Sequence, residues 1–337
     1  MRRVAVVGAG FLGGVHAQNA HDLPGVEVSW IADVDPERAK TLAESVGARH
    51  TTAVEEAVGD AGVDAVIVAV PTVHHRAVTE LTAKHGKHVF CEKPIALSGE
   101  DANAMIQACH DAGVGLMVGH VVRFFPEYAR IYDLLQEDAV GQVGVVRARR
   151  LNLHPRPIRP WYGDMAQSGG MIVDLMIHDL DTLRWYFGEV ERVTARALTF
   201  TPHQERLDYA LAVLRFESGV IAHVEGSWAH ASFRTAIEIA GSDGLIRHAS
   251  DESMALSVER AGSDSGGYMA PPNPLAESPY KAELRHFVDH LDDGLFLTKG
   301  EEATRSLELA LAVRRGAETG LTVEFERGHP VPERGVA

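Results

Sequence analysis

Lys93 closes a short apolar run, Val89-Phe90-Cys91-Glu92, and is followed at once by Pro94. Proline fixes its own φ and pushes the residue before it toward extended backbone, so the direction of the lysine is set by the chain. An ammonium group at the end of a strand in a parallel sheet enters the crevice where such sheets bind ligands, and there it can polarise an oxygen. A structural ion-pair lysine is the equal alternative on these residues alone. A second group follows Ser168-Gly169-Gly170: Asp174, His178 and Asp181 have the i, i+4, i+7 spacing of one helical stripe. Their neighbours Leu175, Met176, Ile177, Leu180 and Leu183 are apolar, so the helix is expected to be largely buried. Polar groups there need partners, and a ligand cleft supplies them. His178 is then a proton carrier, or a core histidine satisfied by Asp174. An Asp/His pair could also hold a metal, but the 18 histidines include no further ligand spacing, so no metal is expected.

A third group lies at the N-terminus. Val4 to Val7 runs into Gly8-Ala9-Gly10-Phe11-Leu12-Gly13, a G-x-G-x-x-G between a strand and a helix. Gly8 permits the turn, Gly10 lets the backbone approach a pyrophosphate, and Gly13 lets helix and strand pack closely. The helix N-terminus offers unpaired N–H groups to the phosphates. Asp33 ends the second strand 20 residues after Gly13, where an acid binds the ribose 2′-hydroxyl of NAD and repels the 2′-phosphate of NADP. Arg38, nearby, keeps NADP open as the alternative.

These groups need a scaffold. The first third alternates strands (4–7, 26–32, 63–70, 87–91, 115–118) with helices (11–23, 36–46, 74–85, 99–112), the pattern of a doubly wound parallel sheet. Past about residue 118 the pattern changes. A helix at 124–135 precedes a strand at 143–153, then the proline-punctuated segment His154 to Tyr162. From residue 191 a run of strands (192–200, 209–216, 220–228, 235–240) with Gly-containing turns predicts an antiparallel sheet. Residues 261–279, rich in Gly, Ser and Pro, read as a mobile loop or lid. Helices at 279–291 and 301–319 follow, the second with the Thr298/Glu301 spacing of a capping box. Few helices are left to cover so large a sheet, so part of one face is expected to meet another subunit.

Bulk properties narrow the function classes. The chain has 337 residues, enough for about two domains, and a formal charge of −15 that repels nucleic acids and anionic membranes. Cys91 and Cys109 are its only cysteines, so no disulfide framework is expected, which fits a reducing cytoplasm. Met1-Arg2-Arg3 and the apolar stretch after it loosely imitate a signal peptide, but Gly8, Gly10, Gly13 and Gly14 break it. No window approaches the ~20 apolar residues of a membrane span.

In its order of motifs the chain resembles the glucose–fructose oxidoreductase/inositol dehydrogenase/rhizopine-catabolism (Gfo/Idh/MocA) family: the glycine turn, Asp33, Pro71 with His75, Glu92-Lys93-Pro94, Arg123, and Gly169-Gly170…Asp174…His178. The resemblance runs from Val4 to about Glu324. It implies an N-terminal Rossmann domain (1–120) and a C-terminal α/β domain (121–330) with a large, mostly antiparallel sheet through which subunits form dimers or tetramers. It implies NAD(P)-dependent hydride transfer at a carbinol carbon of a sugar, inositol or related polyol, sugar nucleotides included. His178 is then the proton carrier, Lys93 polarises the reacting oxygen across a cis Lys–Pro bond, and Asp174 orients substrate and histidine. Candidate cofactor contacts are Gly8, Gly10, Phe11, Leu12, Gly13, Asp33, Arg38, Pro71, His75, Glu92, Lys93 and Arg123. His120, Arg156 and Trp161 are candidate substrate contacts, with His120 equally a strand-end filler and Arg156 and Arg159 equally surface charges. Three positions depart from the common pattern: Val70 before Pro71, Met176, and His120. Two rival activities within the resemblance are NAD-assisted glycoside cleavage and NAD(P)-binding regulation without turnover. Regulators tend to lose the lysine and histidine that are kept here.

Overall fold

A computed structural model of the protein describes residues 1–155, 160–200, 208–251, 256–260, 268–270, 277–326 and 328–331. The chain divides into two units: one is Met1–Phe124 with Glu277–Thr304, the other Phe125–Ala276 with Arg305–Ala337.

The first unit is built on six strands: β1 (Arg2–Val7), β2 (Val26–Ala32), β3 (Arg49–Thr51), β4 (Ala65–Val68), β5 (His88–Glu92) and β6 (Leu116–Gly119). All neighbours are parallel, in the order β3-β2-β1-β4-β5-β6. The helices between them are α1 (Phe11–His21), α2 (Pro36–Val46), α3 (Val54–Val58), α4 (His75–Lys84) and α5 (Gly99–Asp111). Every residue of β4 is buried, as expected of a strand with helices on both faces. Local signals fix the helix ends. Asp35 caps α2 by accepting from the N–H groups of Glu37 and Arg38, and Gly47 closes it at φ +71°. Strand β3 and the short α3 escape sequence reading because Arg49 and His50 are exposed and three residues carry no period. The core joins Val4, Val6, Ile31, Ile67 and Phe90 to Leu284, Phe287 and Phe296. Three of these come from helix Pro279–Asp289 and the turn after it, which return to this unit from far along the chain.

The second unit holds a ten-stranded sheet. Its strands are β7 (Val143–Leu153), β8 (Val190–Leu198), β9 (Tyr209–Phe216), β10 (Ile221–Ser227), β11 (Ala229–Gly241), β12 (Gly244–Ala249), β13 (Leu256–Arg260), β14 (Tyr268–Ala270), β15 (Val323–Glu326) and β16 (His329–Pro330). The order is β14-β13-β12-β11-β7-β10-β9-β8-β15-β16, antiparallel throughout except for β7 beside β10. Strand β11 is longer than its sequence pattern implies, because a register shift between Ala229 and Arg234 lets it bend and go on. Burial alternates along β9, with Ala210, Ala212, Leu214 and Phe216 inward and Leu211 and Val213 outward. Helices α6 (Pro126–Gln136), α7 (Met165–Ser168) and α8 (Ile177–Phe187) complete the part before the sheet's long run.

Two expectations are corrected. The segment after Gly170 is not one α-helix: Ile172–Met176 forms a π-helical turn, and α8 begins only at Ile177. Thr298 does not open a capping box, since helix Gly300–Thr319 starts two residues later and the Thr298 hydroxyl donates to the Val118 carbonyl at 2.7 Å. Arg156, Arg159 and most of the expected loop at 261–279 lie outside the described residues.

Candidate active site

The glycine turn has the shape its sequence requires. Gly8 has φ +103°, and a Cβ there would lie 2.4 Å from the Ala69 carbonyl oxygen. A Cβ on Gly13 would lie 1.7 Å from the oxygen of Gly8, so β1 and α1 can meet this closely only through glycine. A Cβ on Gly10 would meet nothing within 4 Å. Gly8 and Gly13 are therefore demanded by packing, whereas Gly10 faces open space. Gly10 caps α1 and, having no side chain, supplies no side-chain cap bond to it. Asp33 lies at the end of β2. Its Oδ2 accepts from the Ala9 N–H at 2.6 Å and its Oδ1 from the Asp35 N–H at 2.8 Å, so one carboxylate ties the turn to the next loop. Each oxygen keeps a lone pair for a further donor. An open cradle at a helix N-terminus beside a fixed carboxylate suits a dinucleotide. Phe11 is exposed and Leu12 half-buried at the mouth of the turn. Arg38 is exposed on α2 and pairs with Asp35 at 3.3 Å.

Strand β5 delivers Glu92 and Lys93. Glu92 is buried, and its Oε1 lies 2.6 Å from Nε2 of His16, a wholly buried residue of α1. Its Oε2 accepts from the Lys93 backbone N–H at 3.1 Å. Burial opposes the Glu92 charge, but the hydrogen bond and charge of His16, with Lys93 and His75, outweigh it and hold the carboxyl below its ordinary pKa. The Lys93–Pro94 bond is cis. Pro71 precedes a 3-10 turn, Thr72–His74, that leads into α4. His75, at the start of α4, is buried beneath these loops. Its Nδ1 lies 2.9 Å from the Pro94 oxygen and 3.3 Å from that of Ile95, and its Nε2 lies 3.0 Å from the Val70 oxygen. Burial lowers its pKa against the pull of these carbonyls and of Glu92. A neutral ring donates through one nitrogen only, to one side of the turn. His120 and Arg123 follow β6 and are buried, with Arg123 Nη1 reaching the Leu297 oxygen at 3.4 Å.

In the second unit, Gly169 and Gly170 are both left-handed, at φ +76° and +78°, and set up the π turn that carries Asp174. Such turns recur at functional sites. Gly226 of β10 gives the turn room: a Cβ there would lie 2.1 Å from Cγ of Met176. Asp174 is buried and His178, in the first turn of α8, is half-buried. The helix is anchored by its other polar residues. Asp179 accepts Arg150 Nε at 2.8 Å and Nη2 at 3.1 Å, a buried bidentate pair with β7. Asp181, expected on the functional stripe, is instead buried and accepts from Ser306 Oγ at 2.9 Å. Trp161 stacks on Tyr162 at 4.0 Å, and Trp228 and His154 extend the aromatic cluster. Among the described residues no group of three His, Cys, Asp or Glu side chains is disposed to hold a metal, and no helix is long and apolar enough to cross a membrane.

Sequence reading missed His16 and the Arg150–Asp179 pair. The only signal for His16 was a histidine on an otherwise apolar helix face three residues after Gly13.

Comparison with known proteins bears on what this scaffold is. Residues 2–120 match the oxidoreductase family with an NAD-binding Rossmann fold, and residues 128–247 match the Gfo/Idh/MocA C-terminal domain. The chain is 30% identical over 335 residues to 1,5-anhydro-D-fructose reductase of Ensifer adhaerens, covering 97% of this chain and 100% of that one. It is 28% identical to myo-inositol 2-dehydrogenase of Thermotoga maritima, over 96% and 98% of the two chains. The crystal structure of GenD2 from gentamicin A biosynthesis, in complex with NAD, superposes with a TM-score of 0.86 at 28% identity, over 96% of each chain. The protein belongs to the Gfo/Idh/MocA family of NAD-binding oxidoreductases.

Proposed function

We propose that this protein is an NAD-dependent dehydrogenase acting on a CH–OH group of a sugar, inositol or related polyol. The observation that carries the reading is the retention of a lysine and a histidine fit for hydroxyl chemistry in a chain whose full-length relatives are named for a cyclic polyol and an anhydro sugar. The glycine turn, Asp33 and the α1 N-terminus hold the dinucleotide, with Phe11, Leu12, Arg38, Pro71 and Arg123 as further contacts. Bound there, NAD would supply the hydride acceptor or donor for the reacting carbon. Within the protein, His178 takes the hydroxyl proton in the oxidation direction and gives it back in reduction. Lys93 stabilises the negative charge that develops on the oxygen, and Asp174 orients the hydroxyl and the imidazole. Proton transfer and charge stabilisation are each worth roughly 10²–10³-fold. The first unit thus serves the cofactor. The second serves the substrate, with Trp161 as a further contact, and His120 of the first unit is another.

Two wider features belong to the same reading. The outward face of the large sheet carries Leu211 and Val213, and a cavity of about 320 Å³ lined by Arg147, Arg149, His223, Glu225 and Arg247. These exposed apolar side chains support a second copy of the chain covering this face, as a homodimer or tetramer. Cys91 and Cys109 are buried free thiols, with burial pushing Cys109 up to about 12, which suits a reducing, cytoplasmic setting.

The test is turnover. Polyols, inositols and sugars are screened with NAD by NADH absorbance. Lys93→Ala and His178→Ala are each expected to lower kcat at least ~100-fold. A Lys93→Ala/His178→Ala double variant that still turns over would sink the assignment.

A further inference from the structure

The proposed lysine has two buried histidines behind it, and the reaction just described uses neither. His16 reaches Glu92 at 2.6 Å, and the other oxygen of Glu92 receives the Lys93 N–H at 3.1 Å. One carboxylate therefore links α1 to the peptide that aims the lysine. On the far side of Pro94, His75 sits within 2.9 Å of the Pro94 oxygen. The backbone is thus held before Lys93 by Glu92, which His16 of α1 backs, and after it by His75 of α4.

The proton positions are constrained. His16 is wholly buried, and its Nδ1 has no hydrogen-bond partner. The bond to Glu92 therefore runs through Nε2, which donates to the carboxylate. Edge contacts with Phe90 at 5.1 Å and Tyr280 at 6.2 Å fix the plane of the ring. Both oxygens of Glu92 thus accept from within the protein.

We propose that His16 is a positioning residue for Lys93, acting through Glu92, with His75 as its counterpart at Pro94. The proposal rests on the reading of Lys93 given above. A reacting ammonium held loosely costs rate even when substrate and cofactor still bind, because misplacement by ~1 Å can cost about 10²-fold.

The test compares H16L, H16Q, E92Q and K93M in the NADH assay, with KM for NAD and the thermal midpoint measured on each. H16L is expected to lower kcat about 10- to 100-fold while KM for NAD stays within about threefold. The amide N–H of H16Q reaches toward the same carboxylate oxygen and is expected to restore most of that rate. E92Q keeps the volume but turns an amide donor toward one of two donors. It is expected to lose kcat with the thermal midpoint little changed, and it carries the test if H16L does not fold. Wild-type kcat in H16L or E92Q beside an inactive K93M overturns the positioning role alone. So does a loss that merely follows the folded fraction, with no rescue in H16Q. An active K93M overturns the reading of the lysine itself, and the positioning role with it.

Discussion

Asp33 does two things with one carboxylate. It fastens the Ala9 N–H of the glycine turn at 2.6 Å, and it is the acid proposed to meet the ribose of NAD. Asp33→Asn keeps the shape but removes the charge and turns a donor toward one of two backbone donors. Hydrogen bonds to charged groups are worth about 1.5–3 kcal/mol. The ratio of kcat/KM for NAD over NADP is therefore expected to fall at least ~10-fold, read from initial rates with each cofactor. An unchanged ratio would show that the 2′-position is read elsewhere. At this scale the sequence spoke for residues whose reason is local. Gly8 and Gly13 announce themselves because only glycine survives where a Cβ would strike backbone at 2.4 and 1.7 Å. His16 gave almost no signal, because the group that explains it, Glu92, lies 76 residues away.

Whole elements were legible where period and burial agreed. The parallel strands other than β3 stood out as apolar runs, and α2 carried its cap and its closing glycine in sequence. The π turn at Ile172–Met176 did not, because its surroundings come from elsewhere: Met176 lies over Gly226 of β10, some fifty residues on. A similar long-range stitch offers a test of stability. The Asp60 carboxylate accepts from Trp30 Nε1 on β2 at 2.9 Å, from the Gly62 N–H at 2.8 Å, and from Arg49 on β3, whose guanidinium lies over Trp30. These bonds, that from Trp30 foremost, pull its pKa from 3.8 to about 2. A lowered pKa in the fold means stability that is present above the ordinary carboxylate range and lost as pH falls through the folded value. Asp60→Asn is expected to cost about 1–2 kcal/mol at pH 7 in urea unfolding. That gap should close between about pH 4 and pH 2. A gap independent of pH would assign the effect to shape rather than charge.

At the scale of the molecule, the outward face of the ten-stranded sheet is where the proposed assembly is tested. Leu211 and Val213 stand side by side on β9 and are 41% and 39% exposed. Replacing both with Asp puts charges at the centre of that face without touching the inward-facing Ala210, Ala212 and Leu214. Light scattering should show the wild type at two or four protomer masses and the double variant at one, with NAD affinity retained. A monomeric wild type would remove the sheet face from the account of assembly.

The way the units share the chain has a consequence for how the protein is made. Leu284, Phe287 and Phe296 fill the core beneath β1, β4 and β5, yet they are synthesised more than 150 residues after β6. A ribosome that has delivered the first 124 residues has delivered a parallel sheet with part of its interior missing. Such partly built sheets expose apolar surface and are prone to aggregate. The nascent cofactor unit must wait, incompletely packed, while most of the second unit is translated. The last helices therefore act as a closing step in biosynthesis, and loss of the segment after residue 276 would damage the oldest part of the chain first.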